Sequence, residues 1–241
     1  MNISKEIAGS EDEKNLAWEE IRTEHIVQDE WIDFRRSSYR FPDGSVFEPF
    51  YSYSRRDYVV IVASDEEGKY LCVRQFRQGI REVTTEFPAG GIERKDGKEY
   101  RTAQEAVHAS GQDIIEALNT SVAEGKQTDT GNTSNMEAED ALKAARRELL
   151  EETGYVSDHW TQLLTVPSNA TLADNYAYIF MAEKCRRAAE QSLDETEFLH
   201  VRRYSADEIE KMIEQGEFQQ AVHIMAWLLA RRREAGGPKN A

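Results

Sequence analysis

The sequence has 241 residues and a mass of 27.6 kDa, and its 45 acidic and 30 basic side chains give a formal net charge of −15. Nucleic acids and anionic membranes attract clustered positive charge, so this balance argues against both as partners. The length suits one or two domains with a core of their own, and abundant carboxylates are compatible with binding divalent cations.

The sequence also bears on the cellular compartment. No stretch approaches the roughly 18 apolar residues of a membrane-spanning helix, and the amino-terminal residues lack the basic and apolar regions of a secretory signal. Cys72 and Cys185 are too few for a disulfide framework and too isolated for a zinc site. We therefore expect a cytoplasmic protein with reduced cysteines.

Strands are predicted first in the chain. Residues 1–15 are polar and predicted to be frayed. Residues 24–36 and 45–54 are rich in aromatic and β-branched side chains, and Asp43-Gly44 between them indicates a tight turn. We expect two or three antiparallel strands in this part of the chain.

These strands form a predicted amino-terminal β subdomain, residues 1–56, and the second domain covers residues 57–235. Residues 24–56 hold more apolar surface than a small isolated meander can bury. The side chains concerned are Ile26, Trp31, Ile32, Phe34, Phe47, Phe50 and Tyr51. We expect them to form the contact of a homodimer.

The second domain opens with three predicted strands. Tyr58–Ala63 is a continuous apolar run, typical of a strand buried on both faces. Tyr70–Phe76 is its predicted hairpin partner, and Glu82–Phe87 forms a third strand before Pro88-Ala-Gly-Gly91. Later elements are predicted as a helix at Glu137–Thr153 ended by Gly154, strands at about 160–166, 176–183 and 198–203, and helices at 205–215 and about 219–233.

The helix at Glu137–Thr153 holds the residues best suited to chemistry. At about 100° per residue, Glu148, Glu151 and Glu152 share one arc, and Glu152 falls at the edge of the apolar stripe. A carboxylate near the core is costly unless it is paired, and a divalent cation would relieve the repulsion between Glu148 and Glu152. Arg147 stands one turn before Glu151 and can orient it. The alternative is an ordinary solvated acidic helix face.

The same segment carries a resemblance. Arg147-Glu-Leu-Leu-Glu-Glu-Thr-Gly-Tyr155 resembles the second half of the Nudix box, and Glu139 precedes Arg147 at the spacing of that box. Glu86-Phe-Pro-Ala-Gly-Gly-Ile-Glu93 resembles its opening, although Gly90 and Glu139 are far apart in the sequence where the box has only a short spacer. The resemblance therefore implies a long insertion, residues 94–136, inside the box loop.

We expect the insertion to form a flap beside the cleft or on a partner subunit, without metal ligands. Ala103–Leu118 is its predicted helix, and residues 120–135 have the composition of a mobile loop. A solvated excursion without a role is the alternative.

Two further segments resemble the ADP-ribose pyrophosphatase branch of the Nudix hydrolases: Val73–Gly79, and the catalytic loop at Asp194-Glu-Thr-Glu-Phe198. Together the similarities cover about residues 25–232. They imply an α/β (α+β) Nudix fold, in which a mixed β-sheet lies between helices and the box forms loop–helix–loop. They also point to the same homodimer through the amino-terminal region.

The resemblance assigns roles by position. Glu148 and Glu152 would be the principal ligands of Mg²⁺ or Mn²⁺, joined by Glu151 and the backbone carbonyl of Ala89. Arg77, Gly90 and Gly91 would lie on the substrate side. Glu195 or Glu197 would act as the general base or as the ligand of a third metal ion, in a catalytic set with Glu151 and Arg147. Arg77 could instead be a solvated arginine at a strand edge, and either loop glutamate could be a surface charge.

The implied reaction is metal-dependent hydrolysis of a nucleoside diphosphate linked to another group. ADP-ribose or another ADP-sugar is the favoured substrate, giving AMP and a sugar phosphate. GDP-mannose or another nucleotide sugar is the alternative. A non-catalytic Nudix-fold sensor is a third possibility, but such proteins commonly lack part of the glutamate set, which is complete here.

Overall fold

The computed structural model describes residues 16–29, 31–93, 140–195 and 197–236. The chain divides into two compact units: one contains the chain up to Arg55 together with Asn169–Asn175, and the other contains Arg56–Ser168 and the chain from Tyr176 onward. The expectations for residues 1–15, for the insertion at 94–136 and for its helix lie outside the described residues.

The first unit contains one antiparallel sheet of strands β1 (Glu19–Gln28), β2 (Asp33–Arg40) and β3 (Val46–Ser54), in that order. The segment predicted at 24–36 is thus divided between two strands. The Asp29 carboxylate accepts hydrogen bonds from the N–H groups of Trp31 and Ile32, at 2.8 and 2.9 Å, and so reverses the chain between β1 and β2.

The turn predicted at Asp43-Gly44 is confirmed between β2 and β3. Gly44 has a φ of 84°, which glycine adopts without steric cost, and Asp43 accepts a 2.9 Å hydrogen bond from the N–H of Ser45. Trp18 packs against Phe41 and Phe50 with ring centroids 4.5 and 5.2 Å apart, so aromatic contacts hold this sheet together.

The second unit contains an eight-stranded sheet and three helices. The strands are β4 (Tyr58–Asp65), β5 (Tyr70–Arg77), β6 (Glu82–Glu86), β7 (Ala89–Gly91), β8 (Tyr155–Val156), β9 (His159–Pro167), β10 (Tyr176–Arg187) and β11 (Leu199–Tyr204). The helices are α1 (Ala141–Thr153), α2 (Ala206–Glu214) and α3 (Ala221–Glu234).

The sheet is mixed, as predicted. Its order is β11-β5-β4-β10-β8, with β6 beside β5, β7 beside β4 and β9 beside β10. β4 and β10 run parallel, and the other pairs are antiparallel. β7 and β8, of three and two residues, were not predicted because such short segments show no periodicity.

β4 is buried on both faces, and its side chains alternate between two cores. Ile61 lies in the core that contains Leu149 of α1, whereas Val60 lies in the core that contains Trp227 of α3. The sheet therefore lies between α1 on one face and α2 with α3 on the other, which confirms the predicted layers. Among the described residues, no helix is long and apolar enough to cross a membrane.

α1 begins later than predicted. Asp140 is its N-cap and accepts a 2.9 Å hydrogen bond from the N–H of Leu142, so the helix begins at Ala141 rather than at residue 137. It ends at Gly154, which has a φ of 75° and donates a backbone hydrogen bond to the carbonyl of Leu150.

Candidate functional site

The candidate site lies where the second half of α1 meets β7. Glu148 and Glu152 are 7% and 2% exposed, and Glu151 is half-buried. The helical spacing placed these three carboxylates on one arc, and the structure places two of them in the buried face of the helix. The predicted position of Glu152 at the edge of the core is therefore confirmed.

Arg147 connects this group of glutamates. Its Nη1 donates to Glu148 Oε1 and to Glu151 Oε2, both at 2.9 Å, and its Nη2 donates to the carbonyl of Gly91 at 2.9 Å. The structure thus bears out the predicted orientation of Glu151 by Arg147. The same guanidinium fastens α1 to β7.

β7 brings the opening of the box to the helix, although the whole insertion lies between them in the sequence. The N–H of Ala89 donates a 3.0 Å hydrogen bond to Glu152 Oε2. A Cβ added at Gly90 would lie 2.0 Å from the carboxyl carbon of Glu148, which is too close for two non-bonded atoms. Glycine at this position therefore leaves the space that the Glu148 carboxylate occupies.

The two buried carboxylates hold their protons more tightly than glutamates in water. Burial raises the pKa of Glu148 to about 7, against the opposing effect of Arg147. Burial also raises the pKa of Glu152 well above its ordinary value, although the Ala89 N–H opposes it and the charge of Glu148 adds to it.

These carboxylates provide the hard oxygen donors that a divalent cation prefers. Two of them are buried, and a cation would offset the cost of charging them there. In the described part of the chain, no three His, Cys, Asp or Glu side chains are already drawn together as a metal cluster. Glu148 and Glu151 are instead bound to Arg147. The donor chemistry fits a metal ion, and the set of ligands remains a prediction.

The loop before β11 carries the two candidate bases. Glu197 donates its N–H to the Asp194 carbonyl at 3.0 Å and accepts from the Asp194 N–H at 3.1 Å. Its charge contributes to raising the pKa values of Glu148 and Glu152, so it lies within electrostatic reach of both. Glu195 is exposed. Which of the two acts as base remains a prediction.

Arg77 has a partner that the sequence did not indicate. Its Nε lies 2.9 and 3.1 Å from the two carboxylate oxygens of Glu86, and Glu86 is fully buried. A solvated strand-edge arginine, the alternative considered for Arg77, does not fit this pairing. The available signal was an acidic residue at the end of a predicted strand, Glu86, directly before Phe87 and Pro88.

Comparison with known proteins agrees with this geometry. The NUDIX domain model matches residues 135–228, a range that includes α1 but begins after β7. ADP-ribose pyrophosphatase of Bacillus subtilis (strain 168) is 24% identical over 229 residues, which is 92% of this chain and 97% of the relative.

A crystal structure of an ADP compounds hydrolase has a TM-score of 0.66 and 17% identity, covering 92% of this chain and 96% of that chain. At this identity the likeness shows a shared fold. The three glutamates of α1 lie inside the matched domain, and the described architecture is that of the matched structure. Residues 135–228 are thus similar to the NUDIX domain, and the chain resembles an ADP-ribose pyrophosphatase along most of its length.

Proposed function

We propose that the protein hydrolyses ADP-sugars, with ADP-ribose as the favoured substrate, and releases AMP and a sugar phosphate. The observation that carries this proposal is the complete set of Glu148, Glu151 and Glu152 on α1, packed against Gly90 of β7. The similarity to an ADP-ribose pyrophosphatase along 92% of the chain supports the choice of substrate.

The proposed cofactor is Mg²⁺ or Mn²⁺. Glu148 and Glu152 are its principal ligands, with Glu151 and the carbonyl of Ala89 completing the set from the protein. The bound cation neutralises and polarises the diphosphate. Burial of Glu148 and Glu152 supports this assignment, because their charges otherwise remain poorly solvated.

The other residues bind the substrate and move a proton. Arg77 contacts the phosphates, and the backbone at Gly90 and Gly91 borders the substrate. Glu197 accepts the proton of the attacking water, a choice supported by its proximity to Glu148 and Glu152, whereas Glu195 is exposed. Arg147 keeps Glu151 in place through its 2.9 Å hydrogen bond.

The proposed assembly is a homodimer formed by the amino-terminal sheet, and the proposed compartment is the cytoplasm. Exposed apolar side chains on β3 and in the β1–β2 turn, among them Trp31 and Phe47, support the dimer. Cys72 and Cys185 are both free and buried, which suits a reducing compartment.

A direct assay tests the function. The purified protein, stripped of metal and then given Mg²⁺ or Mn²⁺, is incubated with ADP-ribose, another ADP-sugar or GDP-mannose, and the released nucleoside monophosphate is measured. We expect AMP only when metal is present, with ADP-ribose giving the highest kcat/KM. Faster release of GMP from GDP-mannose would favour the alternative substrate. No hydrolysis on the whole panel would favour a sensor.

Glu152→Gln tests the metal site in the same assay. The amide can still accept the Ala89 N–H but lacks the charge that holds a cation, so we expect a loss of kcat of at least about 100-fold with the fold intact. Glu190→Gln is the control, because Glu190 is exposed and bonds only Arg187 among the described side chains. Near wild-type hydrolysis by Glu152→Gln would contradict the assignment.

A further inference from the structure

Glu86 is a fully buried carboxylate at the end of β6, next to the candidate site but outside the glutamates of α1. It accepts from Arg77 through both Nε and Nη2, from the Thr84 hydroxyl, and from the Gln220 amide at 3.3 Å. Donors from two strands and from the residue before α3 therefore surround one carboxylate.

A carboxylate without solvent is costly unless hydrogen bonds and a counter-charge satisfy it. Here they do. Burial alone would raise the pKa of Glu86, but the hydrogen bond from Arg77 and the other favourable contacts outweigh burial, and the net pKa lies below the ordinary value. Glu86 is thus ionised at neutral pH, and it holds Arg77 by a charge-assisted pair of hydrogen bonds, a geometry that fixes the plane of the guanidinium.

Arg77 extends from this pair toward the site. Its side chain is 34% exposed, whereas that of Glu86 is completely covered. Burial opposes its charge, but Glu86 and then Glu152 raise its pKa, so the guanidinium lies within electrostatic reach of the buried glutamate of α1. Its Nη1 makes no hydrogen bond to any residue in the described ranges, which leaves one edge for a ligand.

We propose that Glu86 is a positioning residue. It accepts hydrogen bonds from one edge of the Arg77 guanidinium, so that the other edge faces the diphosphate of the substrate. The proposal rests on the hydrolysis of a nucleoside diphosphate proposed above. Arginine presents its donors in a rigid fork, and fixing it beforehand reduces the entropy lost when phosphate oxygens bind. Thr84 and Gln220 keep Glu86 in the orientation that this requires.

A double-mutant cycle tests the proposal on the full-length protein. The four proteins are the wild type, Glu86→Gln, Arg77→Ala and the double variant, with kcat and KM for ADP-ribose and the thermal unfolding midpoint measured for each. We expect Glu86→Gln to raise KM by about tenfold with a smaller change in kcat, since Arg77 contributes binding energy to substrate and transition state alike. In the Arg77→Ala background the same substitution should leave KM unchanged.

Two variants sharpen the result. Glu86→Asp keeps the charge but shortens the side chain by one methylene group, which moves the carboxylate away from Arg77. Its KM should therefore lie between those of the wild type and Glu86→Gln. Glu82→Gln is the matched control, because Glu82 lies on the same strand opposite Arg77 but is exposed and bonds Gln219 instead. We expect its KM to equal that of the wild type. If Glu86→Gln fails to fold, Thr84→Val serves in the cycle, because it removes one donor to Glu86 and keeps both charges.

The failures are distinguishable. A folded Glu86→Gln with unchanged KM, or equal effects of the substitution in both backgrounds, would show a purely structural pair and overturn the positioning role alone. Absence of hydrolysis by the wild type on every nucleotide sugar would overturn the proposed function, and the positioning role with it.

Discussion

Glu148 and Glu152 occupy positions where water solvates them poorly. The helix that carries them contributes Leu149 and Ala145 to the core, so the same face that stabilises the fold also withdraws the carboxylates from solvent. Their charge is costly there, and hydrogen bonds from Arg147 and the Ala89 N–H offset part of the cost, together with the positive charge of Arg77 near Glu152. Glu148 and Glu152, the proposed principal metal ligands, are therefore residues whose charge destabilises the protein when no metal is bound.

This cost predicts a pH dependence of stability. The folded protein keeps a proton on Glu148 up to about pH 7, whereas an unfolded glutamate loses it near pH 4.5. Between these values the folded state binds more protons, so the free energy of unfolding falls as pH rises through this window and then levels off. We expect the metal-free protein to melt several degrees higher at pH 5 than at pH 8, measured by circular dichroism.

Glu148→Gln is the control for that measurement, because the amide cannot titrate. The pH dependence of its melting temperature should be flatter than that of the wild type between pH 5 and 8, and other titrating groups cancel in the difference. Identical profiles for the two proteins would show that Glu148 has an ordinary pKa.

Gly90 gives a prediction with a neighbouring control. Gly90→Ala would place a methyl group 2.0 Å from the Glu148 carboxyl, so we expect a stability loss of about 1–3 kcal/mol and a large fall in kcat as Glu148 is displaced. Gly91→Ala meets only Arg56 Cδ at 3.9 Å and should be tolerated. Denaturant unfolding and the ADP-ribose assay measure both effects, and equal behaviour of the two variants would contradict the argument.

At the level of elements, the two glutamates of the loop before β11 lie in different surroundings. Glu197 lies near Glu148 and Glu152, so Glu197→Gln should lower kcat by at least about 100-fold with little change in stability. Glu195→Gln, on the same loop and exposed, should stay within about tenfold of the wild type. The opposite ranking of kcat in the ADP-ribose assay would assign the base to Glu195.

The glutamates of α1 were predictable because helical periodicity alone places Glu148, Glu151 and Glu152 on one arc. The start of the helix could not be predicted, because it depends on one local hydrogen bond that the Asp140 side chain accepts from the N–H of Leu142. The helical spacing of apolar residues continues across this boundary, so it does not show at which residue the helix begins.

The pairing of Arg77 with Glu86 could not be predicted from the sequence for a different reason. In the register of β5 and β6, Arg77 lies opposite Glu82 and Glu86 lies opposite Val73, so the pair is not one of directly opposed residues, and the hairpin connection includes Arg81 with a φ of 61°. A non-glycine residue in that conformation leaves no sequence signal that fixes the register. The close contact of β7 with α1 was likewise not predictable in detail, because the insertion at 94–136 separates them in the sequence.

At the level of the whole molecule, the amino-terminal sheet leaves large apolar side chains exposed. Trp31 is 67% and Phe47 52% exposed, and such surface in a folded protein indicates an interface. We expect light scattering at micromolar concentration to give twice the chain mass of 27.6 kDa. The boundary between residues 56 and 57, as the limit of a dimerisation domain, remains a prediction.

Charged substitutions test this interface. Trp31→Lys combined with Phe47→Lys should give a folded monomer, because burying two ammonium groups is far costlier than burying the original rings. Leu228→Lys on α3, where the leucine is 62% exposed, is the control and should stay dimeric. A wild-type mass near 27.6 kDa would contradict the proposed assembly.

Residues Asn169–Asn175 lie in the chain between β9 and β10 but belong to the first unit, where Asp174 accepts a 3.0 Å hydrogen bond from Arg35 and the carbonyl of Leu172 accepts one from the N–H of Tyr53. During translation, the first unit therefore waits for the ribosome to synthesise most of the second before it can be completed. A gene fragment that ends at Arg55 encodes an unfinished unit. Recombination at that boundary would therefore separate the three amino-terminal strands from the segment that completes their unit.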